Sequence, residues 1–382
     1  MPSLKGGKPR IAMLGHKRIP SREGGVEIVV GELAARMCDK GYSVTCYNRK
    51  GHHVSGASFD ESAKNNYKGV KLKTVLTIDK KGLAAMTASF SAAICAAFGR
   101  YDVVHFHAEG PCAMIWLPKM LGKRCIATIH GLDHQRAKWG RFASWYIRFG
   151  EKCAVKYADE IIVLSQNVKN YFAEKYGRET VYIPNGISKS EKVGANEIAK
   201  KLTLNGNDYI LYLGRLVPEK FVDGLIKAFC SINTDKKLVI AGGVSDSAEY
   251  AAQLKELAND NDKVVFTDFV QGKLLNELYS NAYLYVLPSN LEGMPLSLLE
   301  AMSFGNCCLV SDIPECSEVI GDCGFTFKQG NVDDLKEKLQ QLCDDSFSVK
   351  KFKEQSSDYI CNRYNWDEVT KETLKLYGVT DL

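Results

Sequence analysis

Several sequence motifs are missing from this 382-residue chain, and each absence excludes a class of function. Its 13 cysteines include no C-x-x-C pair, which disfavours the common zinc-binding and dithiol motifs. No G-x-G-x-x-G sequence is present, so an NAD-dependent oxidoreductase is disfavoured. The net charge of +5 suits anionic small molecules or an acidic membrane surface but is too small to indicate nucleic-acid binding. We therefore expect no nucleic-acid partner.

Membrane-spanning and low-complexity segments are missing as well. The stretch Leu83–Phe98 is uncharged but shorter than the roughly 20 residues that a spanning helix needs. We predict that it is a buried helix packed on a sheet. The basic N-terminus has no adjoining apolar core, unlike a signal peptide. The odd number of cysteines, set inside predicted strands and helices, predicts a reduced, cytoplasmic protein.

What is present is an alternation of short apolar runs and amphipathic stretches. The predicted strands of the first half are Arg10–Leu14, Ser43–Tyr47, Lys71–Leu76, Val103–His107, Arg124–Ile129, Glu160–Leu164 and Thr180–Ile183. Those of the second half are Tyr209–Leu213, Lys237–Ala241, Lys263–Phe266, Tyr283–Val286 and Cys307–Ser311. Such alternation is typical of parallel strands joined by right-handed helical crossovers.

The alternation predicts an α/β fold with two doubly wound domains. Residues 1–186 form the first and residues 187–365 the second, because Pro184-Asn-Gly-Ile187 interrupts the pattern. A last helical pattern begins at Trp366, in the segment 366–382. In such sheets ligands bind beyond the carboxyl ends of the strands, so two domains that face each other would form a ligand-binding cleft.

The most informative segment is Asn290–Glu300, which follows a predicted buried strand. Glu292 and Glu300 flank a Gly-Met-Pro turn that opens an apolar helix, and we predict Pro295 at its first position. Backbone N–H groups of a first helical turn can hold hydroxyl or phosphate oxygens. An ionised Glu300 could accept both hydroxyls of a ribose, or could merely complement the helix dipole. This mixture of donors and acceptors suits a sugar.

Two cations follow another predicted strand, in Leu213–Lys220. Gly214 allows the chain to turn sharply there. Arg215 and Lys220 could grip a diphosphate, the first as a fork and the second as a point charge. The alternative is a pair of solvated surface cations. Their position after a strand end favours phosphate binding.

A loop after the first predicted strand, Gly15–Glu27, carries a glycine pair at a helix start. Gly24 and Gly25 could leave backbone N–H groups open to an anion. A plain flexible loop explains the same residues equally well.

A further loop, Thr128–His134, also ends a predicted strand. We expect His130 and Asp133 to point towards the ligand edge of the sheet. The following Arg136-Ala-Lys-Trp139 adds charge and an aromatic face that suit an acceptor carrying phosphate or sugar.

Other residues that could bind a ligand receive structural interpretations. His105 and His107 lie in a strand pattern and are predicted to be structural or to support a neighbouring site residue. Asp260-Asn-Asp262 matches a short metal-binding pattern, but a solvated turn explains it better. No other spaced cluster of hard metal ligands was found in the sequence, so we predict no metal site.

Taken together, these residues resemble the retaining nucleotide-sugar glycosyltransferases of family 4, which have the GT-B architecture, over nearly the whole chain. The resemblance rests on Gly24-Gly25, His130, Pro184-Asn-Gly186, Gly214-Arg215, Lys220 and the pair Glu292 and Glu300. The segments Arg18–Glu27 and Gly131–Trp139 are similar to a bacterial subgroup that includes rhamnosyltransferases of capsule and cell-wall synthesis. The closing Tyr364-Asn-Trp366 is similar to the family's C-terminal helix, which crosses back to the first domain.

The resemblance implies roles for individual residues. The catalytic set would be His130, Arg215, Lys220 and Glu292. The donor site would consist of Gly25, Gly214, Arg215, Lys220, Val270, Glu292, Gly293, Met294, Pro295, Leu296 and Glu300. The acceptor site would consist of His16, Arg18, Arg22, Gly24, Asp133, Arg136 and Lys138. In these roles Arg215 and Lys220 replace a metal ion at the leaving diphosphate, and Glu300 binds the ribose.

The resemblance therefore implies a retaining, metal-independent glycosyltransferase without a cofactor. It would move a sugar from a UDP-, dTDP- or GDP-linked donor to a saccharide or polyprenyl-linked acceptor in surface polysaccharide synthesis, with rhamnose one candidate sugar. Basic residues at Lys17, Arg22, Arg136, Lys138 and Arg141 predict peripheral binding to the inner face of the cell membrane. A nucleotide-sugar epimerase of GT-B shape and a non-catalytic sugar-nucleotide-binding regulator stay open as alternatives.

Overall fold

The computed structural model describes residues 7–51, 65–80, 82–135, 140–243, 248–258 and 261–379. The chain divides into two compact units. The first comprises residues 1–186 together with 366–382, and the second comprises residues 187–365.

Over the described residues, the first unit is built on an eight-stranded sheet. Its strands are β1 (Arg10–Leu14), β2 (Ser43–Arg49), β3 (Asn66–Tyr67), β4 (Val70–Val75), β5 (Val103–His107), β6 (Arg124–Ile129), β7 (Glu160–Val163) and β8 (Val181–Tyr182). They lie in the order β3-β4-β2-β1-β5-β6-β7-β8, and each neighbouring pair is parallel except β3 with β4. Near-continuous apolar runs such as Ile161–Val163 fit strands that are covered on both faces.

Helices cover this sheet. They are α1 (Gly25–Asp39), α2 (Leu83–Phe98), α3 (Trp116–Met120), α4 (Arg141–Tyr157) and α5 (Gln166–Tyr176). The limits of α5 follow from the local sequence. The Ser165 side chain accepts a hydrogen bond from the Val168 N–H at its start, and Gly177 adopts a left-handed conformation at its end.

The second unit is built on a six-stranded, all-parallel sheet among its described residues. Its strands are β9 (Tyr209–Leu213), β10 (Lys237–Ala241), β11 (Val264–Asp268), β12 (Leu284–Leu287), β13 (Cys308–Ser311) and β14 (Phe325–Phe327), in the order β11-β10-β9-β12-β13-β14. Its helices are α6 (Glu197–Leu202), α7 (Val222–Cys230), α8 (Ala248–Leu257), α9 (Gly272–Asn281), α10 (Leu296–Ser303), α11 (Pro314–Ile320), α12 (Val332–Asp344) and α13 (Ser346–Arg363). The predicted α/β fold with parallel strands is thereby confirmed.

The last helix, α14 (Trp366–Leu376), returns to the first unit. Its Asp367 forms an ion pair with Arg36 of α1 at 3.0 Å. The Leu376 carbonyl accepts a hydrogen bond from Arg124 Nε of β6 at 2.6 Å. These contacts hold α14 against the elements of the first unit.

The prediction for Leu83–Phe98 is only partly right. Its bounds match α2, but only one face of the helix is buried. That face is made of small residues, namely Ala88, Ser89, Ala92, Ala93, Ala96 and Ala97. Phe90 and Phe98 are exposed, because small side chains let the helix approach the sheet and leave the large ones outside. No helix in the described part of the chain is both long and apolar enough to cross a bilayer.

Candidate functional site

At the carboxyl edge of the second sheet, two tyrosines support the loop that follows β9. The buried Tyr212 hydroxyl donates to the Arg215 carbonyl at 3.0 Å, and the Tyr285 hydroxyl donates to the Leu213 carbonyl at 3.3 Å. The Arg215 guanidinium itself forms no hydrogen bond or ion pair with any residue that the structure describes. The loop is thus held by its backbone and leaves the guanidinium available to a ligand.

A glycine of the neighbouring strand end allows this loop to lie close to β10. A Cβ atom on Gly242 would stand 1.8 Å from the Gly214 carbonyl oxygen. The Gly214 N–H in turn donates to the Ala241 carbonyl at 3.0 Å. Any side chain at Gly242 would therefore displace the loop that carries Arg215.

Lys220 lies at the end of the short 3₁₀ segment Pro218–Lys220 and forms an ion pair with Glu292. Both side chains are largely buried, with 13% and 9% of their surface exposed. The Asn290 N–H donates to the Glu219 carbonyl at 2.8 Å and so holds the two loops together. The residues are 72 positions apart, and sequence spacing did not reveal that they pair.

The prediction that Pro295 is the first helical residue is wrong. Pro295 has φ −78° and ψ 100° and precedes α10, which begins at Leu296. Its carbonyl accepts hydrogen bonds from the N–H groups of Leu298 and Leu299, so it closes the first turn from outside. Gly293, Met294 and Leu296 are buried around it, as a tightly packed loop requires.

Glu300 lies in the second turn of α10. The Tyr279 hydroxyl of α9 donates to Glu300 Oε2 at 3.2 Å. This contact fixes the direction of the carboxylate, which is half-buried. Val270 lies in the loop after β11, which is the edge strand of the sheet next to β10.

At the carboxyl edge of the first sheet, the loop after β1 is hydrogen-bonded to the end of β2 and the residues that follow it. Gly15 has φ +107°, and a Cβ atom there would stand 2.1 Å from the His107 carbonyl oxygen. His16 and Arg18 are both buried. His16 Nε2 contacts Asn48 Oδ1 at 3.1 Å, and Arg18 Nη2 donates to the Gly51 carbonyl at 2.7 Å. Both residues, predicted to bind the acceptor, are thus in contacts that hold the loop.

The glycine pair lies where the sequence predicted it. Gly24 is the residue before α1, in extended conformation, and Gly25 is the exposed first residue of the helix. Glu27 accepts a hydrogen bond from the Lys17 N–H at 2.8 Å. Arg22 is exposed in the same loop.

His130 follows β6 and is supported by buried histidines. His107 Nδ1 contacts His130 Nε2 at 3.1 Å, and the His107 ring stacks on the His105 ring with centroids 4.2 Å apart. His105 is held between the Tyr377 hydroxyl at 2.6 Å and the Thr128 hydroxyl at 2.7 Å. The predicted structural role of His105 and His107 agrees with these contacts.

These two supporting histidines are neutral at physiological pH. Burial, followed by the charge of His130, lowers the pKa of His105 to about 3. Burial, together with the neighbouring histidines, lowers the pKa of His107 well below its ordinary value. His130 is thus backed by aromatic rings without charge.

A second polar cluster at this edge was missed by the sequence reasoning. It comprises Glu109, His134 and Glu151, whose polar atoms lie within 4.8 Å of one another. Glu109 Oε2 accepts a hydrogen bond from the Asp133 N–H at 2.8 Å, which ties the cluster to a predicted acceptor residue. Burial raises the pKa of Glu109 to about 8, and the two neighbouring carboxylates raise the pKa of His134 to about 9.

Part of the sequence signal for this cluster was available. Glu109 and His134 follow the adjacent strands β5 and β6, whose carboxyl ends meet at one edge. Glu151 lies inside α4, where a lone carboxylate looks like any other helical residue. Arg136, Lys138 and the first residue of Asp260-Asn-Asp262 lie outside the described residues.

The second unit thus offers a ligand the guanidinium of Arg215, the ammonium of Lys220 and the carboxylate of Glu300 in α10. Such a set can hold phosphate oxygens with its cations and hydroxyl groups with its carboxylate. The first unit presents a histidine backed by neutral rings and two loops that carry polar groups.

Two family models match successive segments of the chain. Glycosyltransferase Family 4 matches residues 23–191, and the family described as Glycosyl transferases group 1 matches residues 195–359. The uncharacterized glycosyltransferase YqgM of Bacillus subtilis is 29% identical over 293 residues, which cover 73% of this chain and 78% of YqgM. The O-antigen chain mannosyltransferase RfbU of Salmonella typhimurium is 30% identical over 236 residues, which cover 59% of this chain and 61% of RfbU.

Among solved structures, the chain is similar to HepE of Anabaena in complex with UDP and glucose. The TM-score is 0.81 at 15% identity, over 97% of this chain and 99% of HepE. At this identity the similarity shows the fold alone. A family 4 domain followed by a group 1 domain on this fold makes the chain a glycosyltransferase of the GT-B type.

Proposed function

We propose that this glycosyltransferase retains the anomeric configuration of a sugar that it takes from a nucleotide-sugar donor, without a metal ion at the donor diphosphate. The observation that carries the proposal is the arrangement of Arg215 and the Lys220–Glu292 pair at one edge of the second sheet. HepE, which shares the fold, has been solved with UDP-glucose, and this supports a nucleotide-sugar as the substrate class.

Lys220 can serve two partners at once. An ammonium group has three N–H donors, and Glu292 accepts only one of them. The remaining donors would bind diphosphate oxygens while the carboxylate holds the ammonium in place. Arg215 would bind the same diphosphate as a fork. Two fixed cations thus take the place of a divalent ion at the leaving group.

In the proposed reaction, the bond from the anomeric carbon to the diphosphate oxygen breaks as the bond to the acceptor oxygen forms. The proton of the acceptor hydroxyl moves to the departing phosphate oxygen, so the acceptor attacks from the face that the diphosphate leaves. Stabilising the charge that develops on a leaving group is usually the largest single catalytic contribution. Glu300, fixed by Tyr279, would hold the ribose hydroxyls.

The proposed acceptor is a saccharide on a polyprenyl-linked carrier, in the synthesis of a surface polysaccharide. RfbU acts in O-antigen chain assembly by its name, which supports this class of acceptor. His130, Asp133, Arg22 and Gly24 are proposed to contribute to acceptor and sugar binding. Rhamnose and mannose are the candidate sugars, the first from the sequence resemblance and the second from the name of RfbU.

The proposal is tested by removing each cation in turn. Wild-type protein is first titrated with UDP-, dTDP- and GDP-sugars to identify the donor that binds. Arg215→Ala and Lys220→Ala should each bind that donor at least about tenfold more weakly, since each variant loses a charge-assisted contact to phosphate. Isothermal titration measures this directly, and the affinity should be the same with and without EDTA. Lys227→Ala is the matched control, because Lys227 is an exposed lysine of α7 outside the site. Unchanged donor affinity in both variants would contradict the proposal.

Product analysis separates this function from its rivals. Incubation with donor and acceptor should give a glycoside with the anomeric configuration of the donor, read by NMR. An epimerase would convert the donor without an acceptor, and a regulator would bind it without turnover. Either outcome would replace transfer as the function.

We further propose that α4 binds the surface of an anionic membrane. Its exposed side includes Phe142, Trp145 and Phe149, with 64%, 60% and 43% of their surface exposed. The rings of Phe142 and Trp145, and those of Trp145 and Phe149, have centroids 5.9 Å apart. The exposed charged residues of α4 are all basic, namely Arg141, Arg148, Lys152 and Lys156. Aromatic and basic residues on one helical face suit an anionic bilayer interface.

Vesicle flotation tests the membrane proposal. The wild-type protein should float with vesicles that contain anionic phospholipid and remain unbound with purely zwitterionic ones. Phe142→Ser with Trp145→Ser should abolish binding. Phe347→Ser is the control, since Phe347 is 79% exposed but lies in the second unit. Equal flotation of the double variant and the wild type would remove α4 as the binding surface.

A further inference from the structure

We propose that Glu109, His134 and Glu151 form a binding site for a divalent transition-metal ion, with Zn²⁺ the best fit. The three residues come from separate parts of the first unit. Glu109 follows β5, His134 lies in the short 3₁₀ segment after β6, and Glu151 lies in α4. The site would be structural, and it does not depend on the proposed transfer chemistry.

The geometry around one imidazole nitrogen carries the proposal. His134 Nδ1 lies 3.5 Å from Glu109 Oε1 and 3.4 Å from Glu151 Oε2. A Zn²⁺ ion binds nitrogen and oxygen ligands at about 2.0–2.2 Å, so tetrahedral coordination separates its ligands by about 3.3–3.6 Å. Both measured separations fall in that interval.

The same three atoms lack hydrogen-bond partners among the described residues, although all are buried. The other oxygen of each carboxylate accepts hydrogen bonds from the protein. Glu109 Oε2 accepts the Asp133 N–H, and Glu151 Oε1 accepts hydrogen bonds from Tyr171, Lys175 and Tyr176. Carboxylate ligands of metal ions are characteristically held in this way by outer hydrogen bonds.

A proton explains the arrangement less well than a metal ion. One N–H bond on Nδ1 can point at only one of the two carboxylate oxygens. Charge-assisted N–H···O bonds are also about 2.7–2.9 Å long, shorter than either separation here. A cation between the three atoms would satisfy all of them at once.

Imidazole with two carboxylates is a ligand set that Zn²⁺ and its neighbours in the first transition row accept, whereas Ca²⁺ and Mg²⁺ prefer oxygen alone. The backbone helps to bring the ligands together. Ala108 has φ +74°, which turns the chain just before Glu109. A Cβ atom on Gly150 would stand 2.1 Å from the Glu109 carbonyl oxygen, so the glycine lets α4 approach.

A bound ion would fasten α4 and the loops after β5 and β6 to one another. The loop after β6 carries Asp133, whose N–H is already held by Glu109. Metal binding would therefore stabilise the conformation of this loop.

Metal content tests the proposal on the full chain. Wild-type protein, loaded with ZnCl₂ and dialysed into metal-free buffer, should retain about one zinc per chain by mass spectrometry. Glu109→Gln and Glu151→Gln should retain none. Tyr176→Phe, which changes only an outer hydrogen bond, should weaken the zinc affinity by about 10–100-fold. Glu277→Gln is the matched control, since Glu277 is equally buried but lies in the second unit, and it should retain zinc.

Cobalt substitution separates this site from the cysteines of the chain. Co²⁺ bound by nitrogen and oxygen should give visible absorption without a thiolate charge-transfer band. Zinc retention by both Gln variants, a thiolate band, or a wild type that binds neither ion would each overturn the proposal. If the Gln variants fail to fold by circular dichroism, anomalous scattering from zinc-soaked wild-type crystals decides. A peak between the three side chains supports the site, and its absence refutes it.

Discussion

The two units arrange their ligand edges from different side chains. All seven histidines of the chain lie in the first unit, and the second has none. His130 is backed by the buried rings of His105 and His107, which carry no charge, although the ionisable cluster of Glu109, His134 and Glu151 lies at the same edge. Around Arg215 the polar groups are charged, and Lys220 and Glu292 neutralise each other.

This difference follows from the cost of burial. A neutral imidazole with hydrogen-bond partners can lie inside a sheet edge at little expense, whereas a buried charge needs a partner. We therefore expect steric changes and acid to lower the stability of the first unit. We expect the loss of one member of the Lys220–Glu292 ion pair to lower the stability of the second.

The largest effect is expected for Gly15→Ala in the first unit. The new Cβ would overlap the His107 carbonyl oxygen, and φ of +107° would strain any side chain. Overpacking and backbone strain together should lower the free energy of unfolding by about 4 kcal/mol. Urea denaturation followed by circular dichroism measures the loss.

Gly122→Ala is the matched control for that change. Gly122 has φ +75°, but no described atom lies within 4 Å of the position that the alanine methyl group would take. Only the backbone strain of about 1 kcal/mol should therefore remain. A loss at Gly15 no larger than that at Gly122 would show that the contact with His107 is unimportant.

Long structural elements of both units were predictable from the sequence, whereas short strands and the details of packing were not. Most of the strands and their parallel direction were predictable, because apolar runs alternate with helical patterns over long windows, but the order of the strands within each sheet was not predicted. The short strands β3 and β14 were not, since two or three residues show no period, whereas the two-residue β8 lies within a predicted apolar run, Thr180–Ile183. The burial of small residues on α2 depends on how closely the sheet approaches, which the sequence does not contain.

For the candidate site, the sequence indicated which loops end the strands but not which side chains meet. Lys220 and Glu292 were each chosen for a ligand contact, and their mutual contact came only from the fold. Glu109 and Glu151 were missed because their partner His134 is far from each along the chain. Pairing between distant segments depends on packing and so has no local pattern.

The next effect tests the ion pair of the second unit. Lys220→Met should leave Glu292 buried without its cation and lower the free energy of unfolding by about 3 kcal/mol. Lys220→Met combined with Glu292→Leu should lose less than the single change, because no unpaired charge remains. Urea denaturation of both variants measures the coupling.

Lys227→Met provides the comparison for an exposed pair. Lys227 lies 3.5 Å from Asp223, with 52% of its side chain exposed, so solvent already screens the interaction. The change should stay within about 0.5 kcal/mol. If Lys220→Met costs no more than this, the pair is not effectively buried, and the contrast with the first unit fails.

Acid should act on the first unit through its buried histidines. Because the folded pKa of His105 is about 3, the unfolded chain binds more protons once the pH falls below about 6.5. Stability is therefore present above that pH and is lost as the pH falls towards 3. At pH 5 the loss from one such histidine is about 2 kcal/mol.

Tryptophan fluorescence reports this loss selectively, since all four tryptophans lie in the first unit. The free energies of unfolding from urea denaturation at pH 5 and pH 7 should differ, and His105→Gln should reduce that difference by about 2 kcal/mol. An equal pH dependence in His105→Gln and the wild type would mean that other groups control the acid response.

The smallest effect is expected where the last helix meets the histidines. The Tyr377 hydroxyl contacts His105 Nδ1 at 2.6 Å, so Tyr377→Phe should leave a buried ring nitrogen unsatisfied and cost about 1–2 kcal/mol at pH 7. Tyr283→Phe in the second unit removes a comparable bond, from a buried hydroxyl to the Leu342 carbonyl at 2.7 Å. The two losses should be similar at pH 7. Only Tyr377→Phe should also change the pH dependence of unfolding between pH 5 and 7, because only its partner titrates there when the chain unfolds. A change in pH dependence of the same size in Tyr283→Phe would show that the acid response does not belong to the first unit.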